Sequence, residues 1–269
     1  MKYINMIIII LILILILVLL YVKFTQKKEH FEINSKIPKV IYLSYKTKNI
    51  PDYVIPNWKK IYPDYEVKLY DNNDCIKFLL DEYGQEYVDI FNFIKDGPIK
   101  ADFWRVCILY KYGGIYSDID IEPLVNIETI LEKDVTFLTC ISDTITASYN
   151  PHFIVTVPNH KILKYSIDIY LDYYRNKKPY AYWSWSIVFI FENALLKIFK
   201  KNITKDETVV DNENNKYQFM KEIIPSPNTF FDFKTLYNRL FDNPFDVYCK
   251  YKNIRILNNR YKQYINHKF

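Results

Sequence analysis

Residues 98–120 read PIKADFWRVCILYKYGGIYSDID, and this stretch predicts a helix, a sharp turn and a strand in immediate succession. Pro98 stands where a first helical residue is favoured, and Gly113 stands where a glycine commonly ends a helix. The apolar residues between them fall on nearly every face of the helix, which indicates deep burial. We therefore expect this helix and the Gly113-Gly114 turn to lie at the centre of the fold.

The charged residues of this predicted helix are Lys100, Asp102, Arg105 and Lys111. Asp102 and Arg105 are three positions apart on the predicted helix, so they share a face and can pair. After the turn come Asp118 and Asp120, whose spacing places both carboxylates on one side of an extended chain. Such carboxylates repel each other unless a cation offsets their charge, and oxygen ligands suit Mg²⁺ or Mn²⁺. At the end of a strand in an α/β sheet, the pair predicts a site for a metal and a diphosphate.

The sequence before this stretch alternates predicted strands with predicted helices, a pattern typical of an α/β sheet with helices packed on its faces. Strands are predicted at 39–45 and 65–70, and helices at 56–62, 73–83 and 85–95. The fold class that we expect is therefore α/β.

The N-terminal residues predict a membrane anchor. Met6 to Leu20 is an unbroken aliphatic run, and with its flanks it gives about twenty residues, roughly 30 Å of helix, enough for a bilayer core. We interpret 1–24 as a single transmembrane helix, 25–36 as a short stem and 37–269 as one folded domain. A cleaved signal peptide is the alternative, but no small-x-small site follows the run. Lysines flank both of its ends, so the orientation stays open.

Composition excludes several classes of function. The chain has 4 glycines in 269 residues, and none has the spacing of a dinucleotide-binding motif or a P-loop. The formal net charge of +5 is spread along the chain, so we expect no nucleic-acid partner. The four cysteines lie far apart without a C-x-x-C pair, which predicts neither a zinc site nor a disulfide framework. His152 and His160 are interpreted as structural or surface residues.

Two segments together carry a family resemblance. KADFWR at 100–105 and LYKYGGIYSDID at 109–120 resemble the signature of DXD-containing sugar transferases of glycosyltransferase family 32. That family includes the initiating α-1,6-mannosyltransferase group and is distantly similar to the catalytic domains of clostridial glucosylating toxins. Shorter similarities fall at 37–42, 56–58, 150–154 and 157–160, so the resemblance covers about 37–165.

The resemblance implies a GT-A-like mixed sheet flanked by helices, a nucleotide-diphosphate-sugar donor, Mn²⁺ or Mg²⁺, and retention of the anomeric configuration. On this basis Asp102, Arg105 and Asp118 would bind the donor, and Asp118 and Asp120 would hold the metal. It assigns no catalytic base. The expected reaction is transfer of a hexose to a glycan, glycolipid or protein acceptor by a membrane-anchored enzyme.

The chain also departs from the family pattern. YWSWS at 182–186 stands where the family often has Thr-Gly-Pro, and VYCK at 247–250 stands near the place of a His-rich terminal motif. These departures motivate a second hypothesis, a catalytically inactive member that serves as a membrane-bound binding or scaffold subunit. A metal-dependent phosphohydrolase is a third, but no further Asp/His cluster supports it. Trp183 and Trp185 either line a sugar subsite or pack in the core.

Overall fold

The computed structural model describes residues 36–142, 149–224 and 247–259, together with Ile14 and Leu15. Contacts divide the chain into two units, Met1–Ser35 and Lys36–Phe269. In the first unit, Ile14 and Leu15 are helical and exposed. The rest of the predicted anchor, and residues 25–35 of the predicted stem, lie outside the described residues. Across the described ranges, no helix combines the length and the apolarity that a membrane crossing needs.

In its described residues, the second unit contains ten strands and seven α-helices. The strands are β1 (Val40–Ser44), β2 (Glu66–Tyr70), β3 (Gly114–Ser117), β4 (Ile121–Pro123), β5 (Val135–Ile141), β6 (Tyr149–Thr156), β7 (Thr208–Val210), β8 (Lys216–Ile223), β9 (Tyr248–Tyr251) and β10 (Ile254–Asn259). The helices are α1 (Val54–Ile61), α2 (Asn72–Tyr83), α3 (Gln85–Phe93), α4 (Gly97–Tyr112), α5 (Lys161–Arg175), α6 (Tyr182–Trp185) and α7 (Ile187–Phe199), with a 3-10 turn at Ile127–Thr129.

All ten strands join one mixed sheet in the order β2-β1-β3-β6-β5-β8-β9-β10-β4, with β7 added beside β8. β1 runs parallel to both β2 and β3, and β5 runs parallel to β8, whereas the other pairs are antiparallel. Only residues 118–120 separate β3 from β4 in the chain, although five strands separate them in the sheet. The sheet therefore curls back on itself, and the predicted mixed α/β class is confirmed.

Helix α4 is the centre of the larger hydrophobic core, as its sequence predicts. Phe103, Trp104 and Leu109 are fully buried there, among residues from α2, α3, α5 and α7. A second core includes β1, β3, β9 and β10 together with α1, whose Trp58 lies 6.2 Å from the Phe153 ring in a stacked arrangement. The sheet thus separates two apolar clusters.

The Gly113-Gly114 turn between α4 and β3 accepts only glycine. Gly113 has a φ of 63°, and a Cβ there would lie 2.6 Å from the backbone nitrogen of Pro158. Gly114 has a φ of 98°, and its Cβ would lie 2.8 Å from the carbonyl oxygen of Val40. Positive φ and close backbone neighbours both disfavour a side chain. The turn therefore fixes the distance between the charged residues of α4 and the end of β3.

Gly113→Ala is expected to lower the free energy of unfolding by about 3 kcal/mol, because left-handed strain and a backbone clash add. Gly97→Ala is the matched control, since nothing would lie within 4 Å of a Cβ at that position and its φ is not positive. That change should leave stability unchanged or raise it by about 0.5 kcal/mol. Urea unfolding of both variants measures the difference, and equal effects at the two positions would contradict the account.

His160 begins helix α5 and is buried at the edge of the larger core. Its Nδ1 accepts from the Ile162 amide at 3.4 Å, its Nε2 lies 3.2 Å from Thr136 Oγ1, and its ring stacks on Phe137. Burial lowers the pKa of His160 to about 4. The neutral ring therefore caps the helix, and protonation would remove its acceptor nitrogen.

Stability is consequently expected to fall with acidification. The unfolded histidine binds a proton near pH 6.5 while the folded one resists until about pH 4, so its contribution is complete above pH 6.5 and declines below it. His160→Asn keeps a capping side chain that does not titrate. Between pH 7 and pH 4.5 the parent chain should lose about 2.5 kcal/mol more than this variant in denaturant titrations. Identical losses would show that His160 is not the titrating group.

Candidate active site

Asp118, Ile119 and Asp120 form the turn that joins β3 to β4. β3 ends at Ser117, so the expectation of both carboxylates on one extended strand is wrong in detail. The Ile121 amide donates to the Asp118 carbonyl at 3.3 Å, which closes the turn. The Asp118 amide donates to the His152 carbonyl on β6 at 2.9 Å. Both aspartates therefore sit in a turn that is anchored to the neighbouring strand.

Arg105 links helix α4 to this turn. Its Nη2 lies 2.9 Å from Asp102 Oδ1 and 2.9 Å from Asp118 Oδ1, so one guanidinium pairs with two carboxylates. Nη1 donates to the Pro151 carbonyl at 2.7 Å, and Nε donates to the Ala101 carbonyl at 3.4 Å. The Arg105 side chain is 5% exposed, whereas that of Asp118 is 33% exposed. Of the two carboxylates that pair with Arg105, Asp118 is therefore the one that faces solvent.

Tyr116 on β3 supports the same contact, and sequence reasoning missed it. Its hydroxyl donates to Asp118 Oδ1 at 2.8 Å, and its ring centroid lies 4.2 Å from Arg105 Cζ. The hydroxyl also lies 3.3 Å from Ser44 Oγ at the end of the parallel strand β1. The available signal was its position two residues before Asp118, which puts it on the same face of a strand.

Asp102 is held from its other side by the start of helix α7. The Ile187 amide donates to Asp102 Oδ2 at 3.0 Å, and the Ser186 hydroxyl also bonds this carboxylate. Ser186 caps α7 as well, since its Oγ accepts from the Val188 amide at 3.3 Å. A helix N-terminus carries partial positive charge and stabilises a nearby anion. The serine before the apolar run at 187–191 predicts this cap, but not that it meets Asp102.

The four predicted site residues comprise three carboxylates and one guanidinium. Burial raises the pKa of Asp102 to about 6, with Arg105 acting in the opposite direction. Burial and the neighbouring Asp118 raise the pKa of Asp120 above its ordinary value. Burial disfavours the charge of Arg105, but Asp118, Tyr116 and Asp102 raise its pKa above the ordinary range. Arg105 is therefore charged, and it cannot offset all three carboxylates.

The donor set of Asp118 and Asp120 fits a divalent cation. Both groups offer carboxylate oxygens, the ligands that Mg²⁺ and Mn²⁺ prefer. The raised pKa of Asp120 reflects a repulsion that a bound cation would relieve. Asp102 and Arg105, in contrast, already use one another and lie behind Asp118.

The two tryptophans near α7 have different environments. Trp185 is fully buried, whereas Trp183 is 64% exposed and lies beside the partly exposed Tyr182. Because residues two apart on a helical turn face different directions, one ring enters the core and the other faces solvent. Trp185 is therefore a core residue, and Trp183 is the member of the pair that a ligand can reach.

Part of the chain is similar to known glycosyltransferases. Residues 51–137 match the family model described as the glycosyltransferase sugar-binding region containing DXD motif. The chain is 33% identical over 110 residues to the mannosyl phosphorylinositol ceramide synthase SUR1 of Saccharomyces cerevisiae, covering 36% of this chain and 28% of that protein. It is 34% identical over 89 residues to the initiation-specific alpha-1,6-mannosyltransferase of the same yeast, covering 32% and 18%. The solved PaToxG glycosyltransferase aligns with a TM-score of 0.47 and 18% identity, over 65% of this chain and 76% of that one.

The predicted resemblance to DXD-containing sugar transferases is thus confirmed, as is the relation to enzymes of the glycosyltransferase class. The matched part of the chain spans less than a third of the length of either yeast relative. Asp102, Arg105, Asp118 and Asp120 all lie within the matched region 51–137.

Proposed function

We propose that this chain, which carries the DXD sugar-binding region of glycosyltransferases, moves a hexose from a nucleotide-diphosphate sugar to a glycan, glycolipid or protein acceptor. The reaction is metal-dependent and retains the anomeric configuration. The observation that carries the proposal is the contact of Arg105 with both Asp102 and Asp118 at the end of β3. It supports a GT-A-like site at the edge of the sheet where the parallel strands β1 and β3 end.

Asp118 and Asp120 would hold Mn²⁺ or Mg²⁺ beside the donor diphosphate. When bound, the ion supplies positive charge that stabilises the departing diphosphate. The protein contributes by holding the Asp118 carboxylate in a fixed position. Its Oδ1 accepts from Tyr116 and pairs with Arg105, which fixes the carboxylate while a third of the side chain stays exposed.

Arg105 and Asp102, on helix α4 beside the Asp118–Asp120 turn, would bind the donor. Charge develops on the diphosphate as the C–O bond of the donor breaks, and a preorganised guanidinium nearby stabilises that charge. A carboxylate has about four lone-pair positions, so Asp102 can accept from a sugar hydroxyl while it bonds Arg105 and Ile187. Both residues are assigned to donor binding, with Arg105 also positioning Asp118.

The exposed Trp183 fits an acceptor subsite. It lies three residues before Ser186, whose hydroxyl bonds Asp102, and its ring is open to solvent. Sugar rings present apolar faces that pack on an aromatic side chain, and such a contact buries apolar area. Membrane attachment through residues 1–24 would keep the site near a lipid-linked acceptor. The ceramide and mannosyl terms in the name of the SUR1 relative make a glycolipid acceptor the first to test.

Trp183→Ala is expected to raise the KM for the acceptor about tenfold and to leave the KM for the donor nearly unchanged. The loss of one stacking surface removes binding energy without altering the metal site. Phe93→Ala, which removes a partly exposed ring that packs against Trp185, is the control. Steady-state kinetics with each substrate varied separately distinguishes the two, and a change confined to the donor KM would contradict the subsite.

A panel of uridine and guanosine nucleotide sugars tests the proposed function. The purified chain is incubated with Mn²⁺, each donor, and glycan, inositol-phosphate glycolipid or peptide acceptors, and product is detected by mass spectrometry. Transfer from one donor with retained configuration supports the proposal. Donor binding by calorimetry without product on any acceptor would favour the inactive subunit instead. Release of inorganic phosphate from phosphomonoesters would favour a phosphohydrolase.

A further inference from the structure

Two cysteines and one histidine that are distant in the sequence meet inside the curled sheet. Cys140 lies on β5, His152 on β6 and Cys249 on β9, and each is at most 5% exposed. The Cys140 thiol lies 3.3 Å from Cys249 Sγ, and His152 Nε2 lies 3.3 Å from the same sulfur. Their candidate ligand atoms all fall within 4.8 Å of one another. The side chains of this Cys-His-Cys cluster are separate from the site of Asp102, Arg105, Asp118 and Asp120.

The histidine of the cluster provides an independent observation. Nδ1 of His152 is buried, and among the described residues it has no hydrogen-bond partner. Its other ring nitrogen, Nε2, contacts the Cys249 sulfur, which is a weak donor and a weak acceptor. An unsatisfied buried polar group destabilises a fold, so native proteins seldom keep one without a function. The imidazole therefore lies beside the Cys249 thiol, with Nδ1 unsatisfied among the described residues.

We propose that Cys140, His152 and Cys249 bind a zinc ion, with water completing the tetrahedron. Two thiolates and one imidazole form a recurring zinc ligand set, and three protein ligands leave a fourth position open. Tetrahedral bonding requires sulfurs about 3.8 Å apart and a sulfur-to-nitrogen distance of about 3.5 Å. The observed 3.3 Å separations are therefore within about half an ångström of a zinc-bound geometry.

The chemistry of this cluster differs from that of the DXD turn. Mg²⁺ and Mn²⁺ prefer oxygen ligands, whereas thiolates select zinc, so the two sites take different ions. The strands nevertheless connect them, since the His152 carbonyl accepts from the Asp118 amide at 2.9 Å. β9 leads through β10 to β4, which begins directly after Asp120. A zinc ion here would tie together three strands that support the turn, whatever reaction the turn serves.

Metal analysis of the purified chain tests this site. The chain is prepared under reducing, chelator-free conditions, loaded with Zn²⁺ and passed through a desalting column before its zinc content is measured by mass spectrometry. The expected content is about one zinc ion per chain, released when a mercurial reagent titrates the thiols. Cys249→Ser and Cys140→Ser should each retain none. Cys75→Ser, at a buried cysteine outside the cluster, and Asp120→Asn should both retain the ion.

Three results would overturn the site: no zinc retained by the parent chain, equal zinc in the Cys140→Ser/Cys249→Ser double variant, or a Cys140–Cys249 disulfide found by peptide mapping of the freshly purified chain. If the serine variants do not fold, cobalt loading of the unaltered chain replaces them. Thiolate-to-cobalt charge-transfer absorption is then the expected signal, and its absence counts against the site. None of these readouts depends on sugar transfer.

Discussion

Arg105→Gln is expected to lower the free energy of unfolding by about 3–5 kcal/mol and to abolish sugar transfer. The guanidinium is nearly inaccessible to solvent and pairs with Asp102 and Asp118 at 2.9 Å each. Removing it leaves Asp102 buried without its cation and Asp118 without a fixed orientation. It also removes the donor to the Pro151 carbonyl, which is buried in the same place. Urea unfolding and product formation measure the two effects.

Arg175→Gln is the matched control for this variant. Arg175 also pairs with a carboxylate, donating to both oxygens of Glu86 at 2.7 Å, but its side chain is 59% exposed. Exposed ion pairs contribute about 0–1 kcal/mol, because water and salt screen both charges. The difference in the free energy of unfolding between the two variants therefore measures the effect of burial. Similar losses at the two positions would contradict a buried network centred on Arg105.

A double variant separates charge imbalance from lost packing. In Arg105→Gln with Asp102→Asn, no buried carboxylate is left unpaired on the helix, so part of the stability should return. Sugar transfer should stay absent, because the guanidinium beside the diphosphate is still missing. A double variant that is less stable than the sum of the single losses would show that Asp102 does not depend on Arg105.

Asp120→Asn is expected to reduce transfer by at least about a thousandfold while leaving the protein as stable as before or slightly more stable. Burial and Asp118 both raise the pKa of Asp120, which means that its charge is unfavourable in the metal-free fold. The amide keeps the shape and removes that charge, so repulsion within the turn falls. The same change removes a metal ligand, so affinity for Mn²⁺ should fall with the rate.

Asp81→Asn serves as the control for the loss of a carboxylate, since Asp81 is 53% exposed and pairs with Lys77 across one helical turn. Its transfer rate should equal that of the parent chain. Thermal unfolding with and without Mn²⁺ completes the comparison. Mn²⁺ should stabilise the parent and Asp81→Asn but not Asp120→Asn, and full stabilisation of all three would place the metal elsewhere.

The central part of the fold is predictable because its signals are local and strong. Helix α4 has a nearly continuous apolar sequence between Pro98 and Gly113, and the structure ends it at Tyr112 as predicted. Asp102 and Arg105 share a helical face by spacing alone. That Arg105 also meets Asp118 follows from the glycine turn, which leaves the strand few directions to take.

The remaining contacts of the site are not encoded locally. The Pro151 carbonyl lies 46 residues from Arg105 in the chain, and the Ile187 amide lies 85 residues from Asp102. Their meeting depends on how β6 and α7 pack, which no periodicity within either segment specifies. The Cys-His-Cys cluster is a similar case, because strand order rather than sequence spacing brings β5, β6 and β9 together. Trp183 and Trp185 are equivalent in sequence pattern, and only the helical turn that carries them separates their faces.

The measurement that tests the central claim most directly is nucleoside diphosphate release from the preferred donor in the presence of acceptor, before and after chelation. The parent chain should release diphosphate with Mn²⁺, stop when a chelator is added and resume when Mn²⁺ is restored. Asp120→Asn, shown to be folded by an unchanged circular dichroism spectrum, should release none above background. Metal-independent release, or equal release by the two chains, would contradict a donor site built on Asp118 and Asp120.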